Sequence, residues 1–109
     1  MAEGWTIEEY RTEQGESPIR VFLSGLEGQV RVDAFALIQL ARERGNTLRL
    51  PHSKPLGEGL QELRKDQVRI FYVFRPGRRI MLLDGLLKKR GDIPPAMLKR
   101  LRQMQEKSR

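Results

Sequence analysis

From residue 60 to residue 87 the hydrophobic period of this chain is two, and that stretch constrains everything around it. "LQELR", "QVRIFYVF" and "IMLLDGLL" read as three strands, since alternate side chains of an extended backbone fall on opposite faces. A tight polar turn joins the first two, and "RPGRR", around Pro76-Gly77, joins the second to the third. Connections this short belong to antiparallel neighbours, so a meander is expected. The third strand is almost continuously apolar, which suits a central position.

The cover for such a sheet has to come from the flanking sequence. "WTIEEYR" (5–11) favours a first strand, and "TEQGE" is a polar turn. Ser17 then offers an N-cap and Pro18 a first helical position. Ile19, Phe22, Leu23 and Leu26 follow at helical spacing, and Gly25 and Gly28 favour a stop. A second helix is expected over about 29–44, with Ala34, Leu37, Ile38 and Ala41 on one face and Gly45-Asn46 at its end. The pair makes a helical hairpin. "TLRLPHSKPLGEG" (47–59), with two prolines and two glycines, reads as a loop. Beyond the sheet, "KKRGDIPP" is a basic loop, and Pro94-Pro95 lead into a last helix from 95 to about 107, docking through Met97, Leu98, Leu101 and Met104. The order β-α-α-β-β-β-α implies one α+β domain over residues 1–109. It would be an antiparallel sheet with the helical hairpin on one face. The C-terminal helix would leave the other face partly covered and free to carry charge.

The charge is uneven. Residues 1–63 carry 7 basic and 10 acidic side chains, whereas residues 64–109 carry 14 and 4. One strongly electropositive region follows, and nucleic acid, the ribosome or an acidic protein are the partners such a field attracts. The chain has no cysteine, which excludes a disulfide scaffold, a thiol nucleophile and a thiolate metal site. "MAEGWTIEEY" has no basic start followed by an apolar stretch. No apolar run approaches the roughly 20 residues of a membrane span. A cytoplasmic protein with no membrane partner is expected.

Several charges interrupt the strands. Val68, Ile70, Tyr72 and Phe74 alternate away from Arg69, which places Arg69 on the opposite sheet face. Its planar guanidinium can donate two parallel hydrogen bonds to a phosphate. Glu62 and Arg64 share a face at i and i+2, as a general base with a phosphate ligand or as a salt bridge. An exposed bridge would stabilise by only about 0–1 kcal/mol. Lys54, Lys88 and Arg90 are candidates for holding an RNA backbone, and Lys89 is a candidate catalytic residue. His52 is the sole histidine, of the residue type best suited to proton transfer near neutrality. Tyr72 and Trp5 read as packing residues.

"SPIRVFLSGL", "KPLGEGLQELR", "VRIFYVF" and "IMLLDGLLKK" followed by "IPP" together resemble the HigB-like, phage-derived branch of the RelE/ParE toxin superfamily, over about residues 5–105. The resemblance implies a compact microbial ribonuclease fold. It implies a toxin of a type II toxin–antitoxin pair that cleaves mRNA on the ribosome, restrained by a cognate antitoxin. The RNA 2′-hydroxyl would attack the adjacent phosphate, a chemistry that calls for no metal and no cofactor. Arg69 and Lys89 match positions where relatives face the scissile phosphate. Several relatives also carry a tyrosine or histidine near the C-terminal helix, and "GDIPPAMLKRLRQMQ" has neither. Proton transfer would then fall to Glu62, His52 or a lysine. Alternatives are a ParE-like inhibitor of gyrase and a non-catalytic RNA-binding module.

Overall fold

The computed structural model describes residues 4–88 and 91–109. Among these, β1 is Thr6–Glu9, α1 Pro18–Ser24, α2 Gly28–Arg44, β2 Ser53–Gly57, β3 Leu60–Lys65, β4 Val68–Arg75, β5 Arg79–Leu87 and α3 Pro95–Lys107. The strands form one sheet in the order β1-β5-β4-β3-β2.

Two features depart from the sequence expectation. The supposed loop 47–59 contains β2, antiparallel to β3, so the meander has four strands. Leu60 of β3 follows β2 after only Glu58 and Gly59, both at positive φ (52° and 87°). The sheet is also mixed, because β1 runs parallel to β5, Ile7 opposite Ile80. The two helices of the hairpin connect β1 to the meander and provide the crossover that lets β1 lie parallel to its neighbour.

The helices form where local chemistry starts and stops them. Ser17 Oγ accepts from Arg20 N at 3.3 Å and caps α1, with Pro18 just inside. α2 ends at Gly45, whose φ is 52°. A Cβ there would lie 2.0 Å from Trp5 Nε1, so glycine is required both by conformation and by the packing of Trp5. Trp5 is partly buried and packs against the core, a packing role as its sequence suggested, and its ring centroid is 5.3 Å from that of Phe74.

The sheet separates two cores. On one face Ile19, Leu26, Ala34, Leu37 and Ala41 of the hairpin region pack on Leu63, Val68, Ile70, Tyr72, Ile80 and Leu82. On the other, Met97, Leu101 and Met104 of α3 pack on Leu60, Phe71, Val73 and Leu83. A bulge between Phe71 and Tyr72 in the pairing with β5 sets Phe71 opposite Asp84 and Tyr72 opposite Leu82. The extra residue, Leu83, joins the α3 core, and two adjacent β5 side chains thereby serve one face. Asp84 is buried and pairs with Arg100 of α3, and its Oδ1 accepts from Gly85 N at 2.7 Å. That ties α3 across β5.

Tyr72 is buried, and its hydroxyl lies 3.0 Å from Ser53 Oγ. Burial raises the phenol above its ordinary range, partly opposed by the hydrogen bond with Ser53. Tyr72 therefore pins β2 to the core, across β3.

Candidate active site

Glu62, Arg64 and Arg69 lie on the α3 face of the sheet. The register fixes this: Leu60 and Phe71, both in the α3 core, alternate with them at even spacing, and Arg64 stands directly opposite Arg69. Opposed residues of antiparallel strands share a face, with Cβ atoms about 4.5–5.5 Å apart, and two like charges so placed repel. α3 covers the Phe71 and Val73 part of this face. Arg64 and Arg69 lie at the end of the hairpin next to the β3–β4 turn, and there the sheet opens into a groove.

This groove has a volume of about 580 Å³ and is lined by Leu50, Pro51, His52, Arg64, Lys65, Asp66 and Arg69. His52 immediately precedes β2, and its carbonyl accepts from Arg64 N at 2.8 Å. The imidazole-bearing residue is thus fixed by backbone pairing beside the first arginine. Asp66 occupies the two-residue turn between β3 and β4 with φ 51°, a conformation aspartate tolerates better than most residues.

Each arginine is tethered by the protein. Arg64 Nε lies 3.4 Å from Glu62 Oε1. Arg69 Nη1 donates to the carbonyls of Asp66 at 2.7 Å and Val68 at 2.9 Å, while its Nε is buried without a hydrogen-bond partner. Two guanidiniums held on adjacent strands form a site suited to an anion with several acceptor oxygens. Any such anion would relieve their mutual repulsion and could accept from both.

The other residues singled out by sequence fall around this centre. Lys54 is exposed on β2, directly opposite Glu62. Lys88 follows β5, and its N donates to Gln67 O at 2.7 Å, at the same hairpin end. Neither residue lines the groove. Glu62 does not line it either, with a side chain only 4% exposed. Lys89 and Arg90 lie outside the described residues. Lys65 and Asp66 line the groove and were not singled out by sequence, because "RKDQ" reads as an ordinary polar turn.

A family profile described as "Phage derived protein Gp49-like (DUF891)" matches residues 21–106. The chain belongs to the Gp49-like family. The matched segment contains His52, Glu62, Arg64 and Arg69, so the whole groove lies within the Gp49-like region. A search of curated proteins found no match. Among solved structures, the Gp49-like chain is similar to a chain of the crystal structure of the toxin–antitoxin complex RelBE2 from Mycobacterium tuberculosis. The TM-score is 0.56 at 18% identity, covering 80% of this chain and 94% of that one. At that identity the likeness is one of fold.

Proposed function

We propose that this protein is the toxin of a type II toxin–antitoxin pair, of the HigB-like branch, and that it is a ribosome-dependent mRNA endonuclease. The observation that carries the reading is the opposed Arg64–Arg69 pair at a groove that also holds His52. The fold shared with a chain of a toxin–antitoxin complex supports it, as does the concentration of positive charge after residue 63.

In this reading a phosphodiester of mRNA occupies the groove. The 2′-oxygen bonds to phosphorus as the P–O5′ bond breaks, leaving a 2′,3′-cyclic phosphate and a 5′-hydroxyl. The 2′-proton goes to a base and the 5′-oxygen receives one. Arg64 and Arg69 stabilise the charge that accumulates on the phosphorane oxygens. His52, at the groove wall, is the residue best placed to move a proton. Lys89 is assigned to the phosphorane charge alongside the two arginines, and Lys54, Lys88 and Arg90 to the RNA backbone. The cognate antitoxin restrains the activity, and the site of action is the cytoplasm.

The test is cleavage of a defined mRNA on purified ribosomes, with RNA ends mapped, for wild type and Arg69→Ala. Cuts in the ribosomal A site by wild type, reduced about 10²–10³-fold in the variant, are expected from loss of one charge-stabilising donor. Intact mRNA with folded wild type overturns the nuclease reading. DNA breaks from poisoned gyrase would then favour the ParE-like alternative, and salt-sensitive RNA binding without product a binding module.

A further inference from the structure

Glu62 presents a puzzle that the groove alone does not resolve. It is a carboxylate two residues from Arg64 on a basic face of the sheet, and only 3% of the residue is exposed. Burying an ionised carboxylate is costly unless it is paired. A general base must come within about 2.6–3.2 Å of the proton it takes, directly or through one water. Glu62 is buried in the sheet, and the groove wall is made by its neighbours. Among the described residues, its cationic partner is Arg64, with Nε at 3.4 Å.

From this we infer that Glu62 is a positioning residue, which holds Arg64 opposite Arg69 before any RNA arrives. The inference rests on the nuclease reading for its catalytic consequence but not for its structural content. Left alone, Arg64 would swing away from Arg69 to relieve like-charge repulsion. A buried carboxylate on its own strand, two residues back, compensates that repulsion from beneath the site. The contact is made through Nε. A guanidinium held there keeps its two terminal nitrogens as a fork for phosphate oxygens. Arg69 is tethered differently, through Nη1 to the carbonyls of Asp66 and Val68. The two cations thus reach the groove on independent supports, one electrostatic and one a turn. Among the described residues, Lys54 lies opposite Glu62 on β2, and as an exposed side chain it is free to engage RNA while Arg64 stays held.

The experiment compares wild type, Glu62→Gln and Glu62→Asp. Hydrogen exchange of Arg64 Nε–H, followed by NMR of arginine side chains, is read on the free protein. It is expected to speed up by about tenfold or more in Glu62→Gln and less in Glu62→Asp, which keeps the charge. In the ribosome assay Glu62→Gln is expected to lower kcat/KM by about tenfold while both limbs of the pH–rate profile remain where they are in wild type. Unchanged Arg64 exchange in both variants overturns the inference. So does the loss of one limb of the profile together with a fall in kcat of about 10²–10⁴-fold, the signature of a general base. Should wild type leave mRNA intact, the nuclease reading fails, and the exchange measurement still decides whether Glu62 holds Arg64. Should Glu62→Gln not fold, the smaller perturbation of Glu62→Asp carries the same test.

Discussion

Replacing Gly85 with alanine is a perturbation whose sign the structure reverses. By strand propensity alone the change should help, since an interior glycine weakens a regular element by roughly 0.5–1 kcal/mol relative to alanine. The packing predicts the opposite. A Cβ at residue 85 would lie 2.4 Å from Cδ2 and Cε2 of Phe22 on α1, and 3.0 Å from the Arg69 carbonyl oxygen on β4. Optimal carbon–carbon contact is about 3.5–4.0 Å, so the Phe22 ring has to retreat by about 1 Å or more. The strand cannot yield in its place, because the Arg69 oxygen belongs to the neighbouring backbone of the same ladder. Overpacking of this kind costs about 1–3 kcal/mol. At about 4–8 °C per kcal/mol for a domain near this size, a cost of about 2 kcal/mol lowers Tm by roughly 8–16 °C. Urea unfolding of Gly85→Ala, Phe22→Leu and the double variant checks the cause. Trimming the ring should recover part of the loss, with a coupling of about 0.5–3 kcal/mol between the two sites. A stability gain in Gly85→Ala, or strict additivity in the double variant, would refute the close approach of α1 to β5.

Other expectations follow from particular contacts. Tyr72→Phe leaves Ser53 buried without its 3.0 Å partner and should cost about 1–3 kcal/mol in urea unfolding. Asp84→Ala removes acceptors for Arg100 and for Gly85 N. It should lower stability by about 1–3 kcal/mol and loosen α3, seen as faster amide exchange along that helix. Glu9 is lowered from 4.5 to about 2, chiefly by its hydrogen bond with Arg20, with Ser17 and the charges of Arg20 and Arg11 adding to the effect against desolvation. A folded-state pKa below the unfolded value gives a contribution that is complete above about pH 4.5 and lost as pH falls toward about 2. The Tm of wild type should therefore fall more steeply across that interval than the Tm of Arg20→Ala, and parallel curves would refute the pairing.

Much of this architecture is legible in the sequence, for physical reasons that can be named. β3, β4 and β5 announce themselves because their side chains alternate between two cores. α1 does so through Ser17, Pro18 and an apolar stripe. β2 does not, because Pro55 and Gly57 have poor strand propensity, and an edge strand tolerates proline where a central one would not. The parallel pairing of β1 is invisible locally, since it depends on where a hairpin of two helices returns the chain. Arg64 and Arg69 stand out as charges in strand positions next to apolar ones. The difference between Glu62 and Arg64 is hidden, because i and i+2 share a face and only tertiary packing determines that Glu62 is buried while Arg64 stays partly exposed. His52 reads as a loop residue until β2 is recognised, after which its pairing with Arg64 brings it to the site.

The composition that disguises β2 has a further consequence. A sheet in the order β1-β5-β4-β3-β2 exposes β2 along one margin, where an unpaired row of amides and carbonyls invites a strand from another molecule. Here that margin carries the exposed ammonium of Lys54, then Pro55 with no amide hydrogen to offer, then an irregularity between Pro55 and Gly57 that breaks the spacing. An approaching strand finds a charge, a missing donor and a broken register within four residues. Lys54, Pro55 and Gly57 thus protect the chain against templated aggregation at this edge.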